Sequence, residues 1–150
     1  MDKLTRILVV DDDETIRTTM KAILEDEGYI VDLAGTGKEA IQKTQDRTYN
    51  IALLDIRLPD MEGIELLKLM KESVPRTRKI MVTGYPSMQN AISALNKNAD
   101  GYMLKPVDVE KLLSTVKEQL EAQENERKFS ELKVAEFIES RVKELSTDRI

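Results

Sequence analysis

Three aspartates, Asp11-Asp12-Asp13, follow directly on the apolar run Ile7-Leu8-Val9-Val10, and a fourth, Asp55, ends a second run, Ile51-Ala52-Leu53-Leu54. Carboxylates at the ends of buried strands are costly unless something pairs with them. A hard divalent cation is the natural partner, because it takes several oxygen ligands; Mg2+ in particular uses one or two carboxylates together with phosphate oxygens and water. Asp11, Asp12 and Asp55 are therefore candidate ligands of Mg2+ in a site for phosphate chemistry. A carboxylate can also attack phosphorus, as in aspartyl-phosphate enzymes, which makes Asp55 a candidate nucleophile. Asp13, next to Glu14-Thr15, reads as the N-cap of the first helix.

Two further strand ends carry useful groups. Thr83 closes Lys79-Ile80-Met81-Val82, and its hydroxyl can donate to a phosphoryl oxygen, while Gly84 beside it presents no side chain to an incoming phosphate. Lys105 follows Tyr102-Met103-Leu104 and precedes Pro106; opposite several acids it serves as a fixed countercharge for phosphate. Taken singly, each has an ordinary reading as a cap, a β-former or solvated surface.

What brings these residues together is the order of the elements. Short apolar runs recur at Ile7–Val10, Ile30–Ala34, Ile51–Leu54, Ile80–Val82 and Tyr102–Leu104, as in buried parallel strands. Between them lie helical stripes: Ile16, Met20, Ile23 and Leu24; Ala40 and Ile41; Ile64, Leu67 and Met70; Met88, Ala91, Ile92 and Leu95; and Val109, Leu112, Leu113, Val116 and Leu120. Thr36-Gly37-Lys38-Glu39 has capping-box spacing, and Gly28 stands where a left-handed C-cap is expected. Five alternations of strand and helix predict a three-layer α/β fold with a parallel sheet. Right-handed crossovers then put every strand's C-terminal end on one edge, so Asp11–Asp13, Asp55, Thr83 and Lys105 converge there.

Composition narrows the chemistry. The 150 residues contain no cysteine and no histidine, which excludes thiolate catalysis, zinc–sulfur sites, an imidazole base and a phosphohistidine of the chain's own. A net charge of −5 argues against a nonspecific nucleic-acid or anionic-membrane surface. The longest apolar runs, four residues, are too short for a signal-peptide core or a membrane span, so a cytoplasmic setting is expected. The last 30 residues lack strands, glycine and proline and carry eight acidic and six basic residues. They read as a helical extension of the fifth helix, with a thin apolar stripe of Val134, Ile138, Val142 and Leu145.

In combination the motifs Val-Val-Asp-Asp, Leu-Asp-x-x-Leu-Pro-Asp-Met-x-Gly, Val-Thr-Gly and Gly-Tyr-x-x-Lys-Pro resemble the receiver domain of two-component response regulators, over about residues 4–121. The resemblance implies a doubly wound, flavodoxin-like sheet of order 2-1-3-4-5. The receiver is expected over 1–121, with a helical extension or linker over 122–150. It also implies that Asp55 accepts a phosphoryl group, and that Asp11, Asp12, Asp55 and the Arg57 backbone carbonyl hold Mg2+. Thr83 would be the switch hydroxyl, Tyr102 the switch aromatic, Lys105 the phosphate-binding lysine, and the Lys105–Pro106 peptide cis. Phosphorylation would change the face made by Met88–Lys97, Gly101–Leu104 and the fifth helix, and so regulate a partner or an output domain. The expected phosphodonor is a histidine kinase or phosphotransfer protein. No nucleic-acid or membrane partner is expected, a homodimer through the tail is one outcome, and catalysis is confined to the chain's own phosphorylation and dephosphorylation. Bulky Arg57 and Tyr85, flanking the acceptor and the switch threonine, are expected to shield the aspartyl phosphate from water.

One enzyme reading competes. Asp11-Asp12-Asp13-Glu14-Thr15 also fits the Asp-x-Asp-x-Thr motif of haloacid-dehalogenase-like phosphatases, with Asp11 as nucleophile. That reading leaves Asp55 and its Leu-Pro-Asp-Met-x-Gly context without a role, and no later strand supplies the acidic pair it needs. Gly35-Thr36-Gly37-Lys38 hints at a phosphate loop but lacks the spacer between its glycines and the hydroxyl after lysine, so helix capping accounts for it better.

Overall fold

A computed structural model describes residues 4–84, 87 and 99–147. Five strands, β1 (Arg6–Val10), β2 (Ile30–Ala34), β3 (Ile51–Asp55), β4 (Arg78–Thr83) and β5 (Gly101–Leu104), form one sheet of order β2-β1-β3-β4-β5, and every pairing is parallel. This is the expected doubly wound order, and it reverses between β1 and β3.

The strands read as unbroken apolar runs because both faces of the sheet are covered. Residues of one parity (Leu8, Val10, Ala52, Leu54 and Met81) pack with Ala40 of α2 (Gly37–Asp46) and with Leu66 and Leu67 of α3 (Gly63–Leu69). The other parity (Ile7, Val9, Ile51, Leu53, Ile80, Val82 and Met103) packs with Met20 and Leu24 of α1 (Glu14–Asp26) and with Leu112 and Val116 of the C-terminal helix α4 (Val109–Thr147). The helical stripes of the sequence thus face the sheet, except that on α3 Leu66 and not Ile64 joins Leu67 and Met70 in the core, and Val109 at the start of α4 is exposed. The fourth helical stripe, Met88, Ala91, Ile92 and Leu95, and Tyr85 lie outside the described residues.

Local signals act as their chemistry requires. Asp13 caps α1, accepting from the Ile16 N–H at 3.2 Å. Thr36 Oγ1 accepts from the Glu39 N–H at 3.1 Å, while the Glu39 carboxylate turns back to the Gly35 N–H at 3.2 Å, one residue before the usual reciprocal partner. Gly28 has φ +95°, the left-handed C-cap conformation. The Lys105–Pro106 peptide is cis.

α4 is one continuous helix of 39 residues, roughly 58 Å long at 1.5 Å per residue. It crosses position 121 without a break. Gln123 is buried and donates to the Asn50 and Arg76 carbonyls at 3.0 and 2.9 Å, and Glu126 pairs with Arg76 and Arg78 at 3.3 and 2.9 Å. Beyond Arg127 the apolar residues Phe129, Leu132, Val134, Phe137, Ile138, Val142 and Leu145 are all exposed. The tail therefore does not pack back on its own domain. Among the described residues, no helix is long and apolar enough to cross a membrane.

Candidate functional site

The reversal of strand order sets the place. β1 and β3 are neighbours there, and each delivers an aspartate to the same edge. Asp11 and Asp55 are 3% and 5% exposed, and Asp12 is open to solvent. One carboxylate oxygen from each of the three lies within 4.8 Å of the others. Distant sequence positions thus form one cluster, as parallel topology requires.

Lys105 arrives from β5, two strands away from β3. Its Nζ lies 2.6 Å from Asp11 Oδ2 and 3.1 Å from Asp55 Oδ2, so one ammonium bridges two buried carboxylates. A Cβ added at Gly84 would meet the Lys105 stem at 3.8 Å, an ordinary contact. The site still carries three carboxylates against this one bridging ammonium. Burial and the Asp11 charge push the Asp55 carboxyl above the usual carboxylate range, and the Lys105 hydrogen bond and charge oppose that rise. Burial disfavours the Lys105 ammonium, but its bonds to Asp11 and Asp55 outweigh that and raise its pKa. An edge with surplus negative charge, oxygen donors only, and an open third carboxylate fits a small hard cation.

The backbone around the cluster is pinned. The Asp13 N–H donates to Asp11 Oδ1 at 2.9 Å, and Arg17 Nη1 donates to the Asp11 carbonyl at 2.7 Å. After Asp55 the chain folds into a tight loop: Gly63 N–H to the Ile56 carbonyl at 2.6 Å, and Leu58 N–H to the Met61 carbonyl at 3.1 Å. Gly63 has no alternative, because a Cβ there would sit 2.1 Å from the Asp55 carbonyl oxygen. The Arg57 N–H points at Asp55 Oδ1 over 3.4 Å.

Sequence reasoning missed one anchor. Asp60, at the tip of this loop, accepts from the Gly37 and Lys38 N–H groups at 2.8 and 2.9 Å. These bonds hold its carboxyl below the usual range. Two orphan donors of α2 are thus satisfied by a residue 22 or 23 positions away, and the loop bearing Arg57 is tied to the neighbouring helix. The Leu-Pro-Asp-Met-x-Gly motif held the residue, but nothing in a linear pattern names its partner.

Thr83 is fully buried at the end of β4, and its carbonyl accepts from the Lys105 N–H at 2.8 Å. Tyr102, on β5 beside Met81, packs against the α2–α3 core, with its hydroxyl buried and, among the described residues, without a hydrogen-bond partner. Every sequence-derived site residue except Tyr85 is therefore described. Asp11, Asp12, Asp55 and Lys105 meet directly, with Arg57 beside them and Thr83 on the neighbouring strand.

The response regulator receiver domain model matches residues 7–117. The chain belongs to that family. The transcriptional regulatory protein ZraR of Klebsiella oxytoca is 40% identical over 114 residues, which are 76% of this chain and 26% of that protein. The chain thus spans about a quarter of such a relative. Among solved structures, a CheY-like receiver domain protein from Methanospirillum hungatei JF-1 is 50% identical, with a TM-score of 0.78 over 83% of this chain and 99% of that one. A response regulator from Burkholderia pseudomallei, solved with a phosphorylated aspartic acid, calcium ion and citrate, is 30% identical, with a TM-score of 0.69 over 81% and 72%. The family shown is thus the receiver family and not the haloacid-dehalogenase-like phosphatases.

Proposed function

We propose that the chain is a phosphorylation-driven switch in which Asp55 accepts a phosphoryl group. Asp11, Asp12, Asp55 and the Arg57 carbonyl would hold Mg2+. The observation that carries this reading is the meeting of three carboxylates within 4.8 Å, with the Lys105 ammonium 3.1 Å from Asp55. The phosphorylated aspartate and calcium ion in the Burkholderia pseudomallei relative support the same assignment.

When bound, the cation held by Asp11, Asp12, Asp55 and the Arg57 carbonyl would supply neutralisation of the charge that builds up on phosphoryl transfer. The chain's own residues do the rest. Lys105 keeps Asp55 ionised, and hence nucleophilic, in a buried position that disfavours the charge. An Asp55 oxygen attacks phosphorus as the bond to the donor's imidazole nitrogen or acyl oxygen breaks, and the leaving group departs with that electron pair. The product carries about two negative charges. Thr83 can then donate to one phosphoryl oxygen and Lys105 to another. Movement of Thr83 changes the packing seen by Tyr102, which shares its face of the sheet, and shifts the population of the surface built on β5 and α4. Dephosphorylation by water at the same site would complete the cycle, with Arg57 and Tyr85 limiting access.

Without a histidine the chain needs an external donor, a histidine kinase or phosphotransfer protein acting in the cytoplasm. A largely apolar cavity of about 430 Å3, lined by Ile16, Met20, Ile23, Val107 and Leu112 and bordered by Lys105, suits a helix of such a donor. Output would pass to a protein partner or to a domain in the same polypeptide. The exposed stripe beyond Arg127 suits a homodimer, and light scattering before and after removal of residues 128–150 tests it; a monomer in both cases refutes it.

The direct test is acetyl phosphate with Mg2+, followed by intact-mass measurement. One phosphoryl group is gained by the native chain and none by Asp55→Asn. Transfer to Asp11 instead would overturn the assignment.

A further inference from the structure

The edge of the sheet opposite the acidic site has its own charge imbalance. A cavity of about 520 Å3 opens between the C-terminal end of α3 and the start of β4, a size typical of small-molecule sites. Four cations line it, Lys68, Lys71, Arg76 and Lys79, against two acids, Glu72 and Asp100. Lys68 and Lys71 are exposed at the mouth, whereas Lys79 is 8% exposed.

The Lys79 side chain is largely buried while the residue lines the cavity, and an ammonium partly stripped of water is disfavoured unless a countercharge meets it. Asp100 is already engaged: its Oδ1 and Oδ2 take the Arg76 guanidinium at 2.9 and 3.0 Å, and Oδ2 also takes the Lys79 backbone N–H at 2.8 Å. Glu126 is held by Arg76 and Arg78. Among the described residues, no ion pair reaches the Lys79 ammonium. The stretch 85–98 contains no Asp or Glu that could supply one. Burial, and then the Arg76 charge, lower the Lys79 pKa against the weaker pull of Asp100 and Glu72, the behaviour of a cation short of negative charge. The hydroxyls nearby are occupied: Ser73 and Thr77 bond each other at 3.1 Å, and Thr77 donates to the Tyr49 carbonyl.

We propose that this cavity binds a compact, multiply charged oxyanion of the phosphate class, with Lys79 on its floor and Lys68 and Lys71 at its mouth. Four cations against two acids leave a surplus of positive charge, which favours a dianion over a monoanion. Ammonium groups, rather than oriented hydroxyls, carry the recognition, which favours charge density over a planar carboxylate. The site is independent of the phosphoacceptor reading, because it shares none of those residues.

The test uses the whole 150-residue chain, isotopically labelled, in chelator at constant ionic strength. It is titrated separately with inorganic phosphate, pyrophosphate and ATP while the amide signals of Thr77, Lys79 and Ala99 are followed. Saturable shifts at these amides with pyrophosphate are expected, weakened about tenfold or more in Lys79→Met, the loss that follows from removing a buried partner of an anion. If Lys79→Met does not fold, the exposed pair Lys68→Gln with Lys71→Gln decides, with weakening of at least about threefold expected. ATP binding tighter than pyrophosphate identifies a nucleotide, and equal binding a free anion. Shifts that never saturate, or saturate equally in native chain and variants, overturn the proposal.

Discussion

Tyr102→Phe should stabilise the protein. The Tyr102 hydroxyl is buried without a partner among the described residues, so folding strips it of water and returns nothing. Such a group costs about 1–3 kcal/mol. Phenylalanine keeps the ring and its packing against the α2–α3 core and removes only that oxygen. Taking the low end, because the ring is only partly buried, the gain is about 1 kcal/mol. For a chain of this size that raises Tm by about 3 °C. The same quantity bears on the proposed switch. A ring held inward against a desolvation cost lies closer in energy to its outward pose, and deleting the hydroxyl widens the gap by about 1 kcal/mol, about fivefold in population. Calorimetry and urea titration read the stability, and side-chain NMR of residue 102 reads the rotamer balance. An unchanged or lowered Tm would mean that the hydroxyl has a partner in solution, and the reasoning about the switch would fall with it.

Three other outcomes follow from the same geometry. Mg2+ at a hundred times its dissociation constant should stabilise the chain by about 2.7 kcal/mol, reversibly by chelator, and Asp12→Asn should reduce the affinity; a Tm indifferent to Mg2+ would refute the ligand set. Burial and the Asp11 charge raise the folded pKa of Asp55 above the ordinary aspartate value of 3.8, so without divalent cation its contribution is fully present below that value and is lost as pH rises through the folded pKa. Asp55→Asn should therefore gain stability over the native chain progressively from about pH 4 upward in chelator, and parallel pH profiles would contradict this. Asp60→Ala uncovers the Gly37 and Lys38 N–H groups, so hydrogen exchange at those two amides should accelerate, and unchanged protection would show that another group caps α2.

The acidic edge was legible because parallel strands buried on both faces leave a distinctive trace, four apolar residues followed by an abrupt carboxylate. Topology then does the assembling: once β1 and β3 are parallel neighbours, Asp11 and Asp55 have no other edge to occupy. What stayed hidden was fixed through space by single polar contacts. Asp60 reaches α2, Asn50 holds Gln123 at 2.9 Å, and Arg76 clasps Asp100 and Glu126, yet none of these residues has a periodicity that points to its partner. Lys79 misled most. It reads as the charged entry to a strand, while its parity with Met81 turns it inward on the α3 face. The tail was legible as helix. That its first turns belong to the packed unit, through Gln123 and Glu126, depended on contacts with β4 and the residues preceding it that no local pattern encodes.

On the two proposals the edges of the sheet take opposite charges, a cation at the C-terminal end and an anion at the N-terminal end. Lys79 and Thr83 are four residues apart on β4, roughly 13 Å at strand rise. At the effective dielectric constant of about 20 that suits buried groups, a pair of unit charges at that separation interacts by about 1.3 kcal/mol, and salt screens such groups far less than exposed ones. Direct charge coupling between a divalent cation at one edge and a dianion at the other is then attractive, up to about 5 kcal/mol without screening. Coupling is reciprocal, so the effect of Mg2+ on pyrophosphate affinity must equal the effect of pyrophosphate on Mg2+ affinity. Simultaneous titrations, with free concentrations corrected for the Mg2+–pyrophosphate complex, should show each ligand tightening the other, less so as salt is raised, if the edges communicate by charge alone. Mutual weakening, or a reciprocal change indifferent to salt, would require β4 and α3 to have two packed arrangements that both ligands bias, and would make the basic cavity a control point for the acidic one.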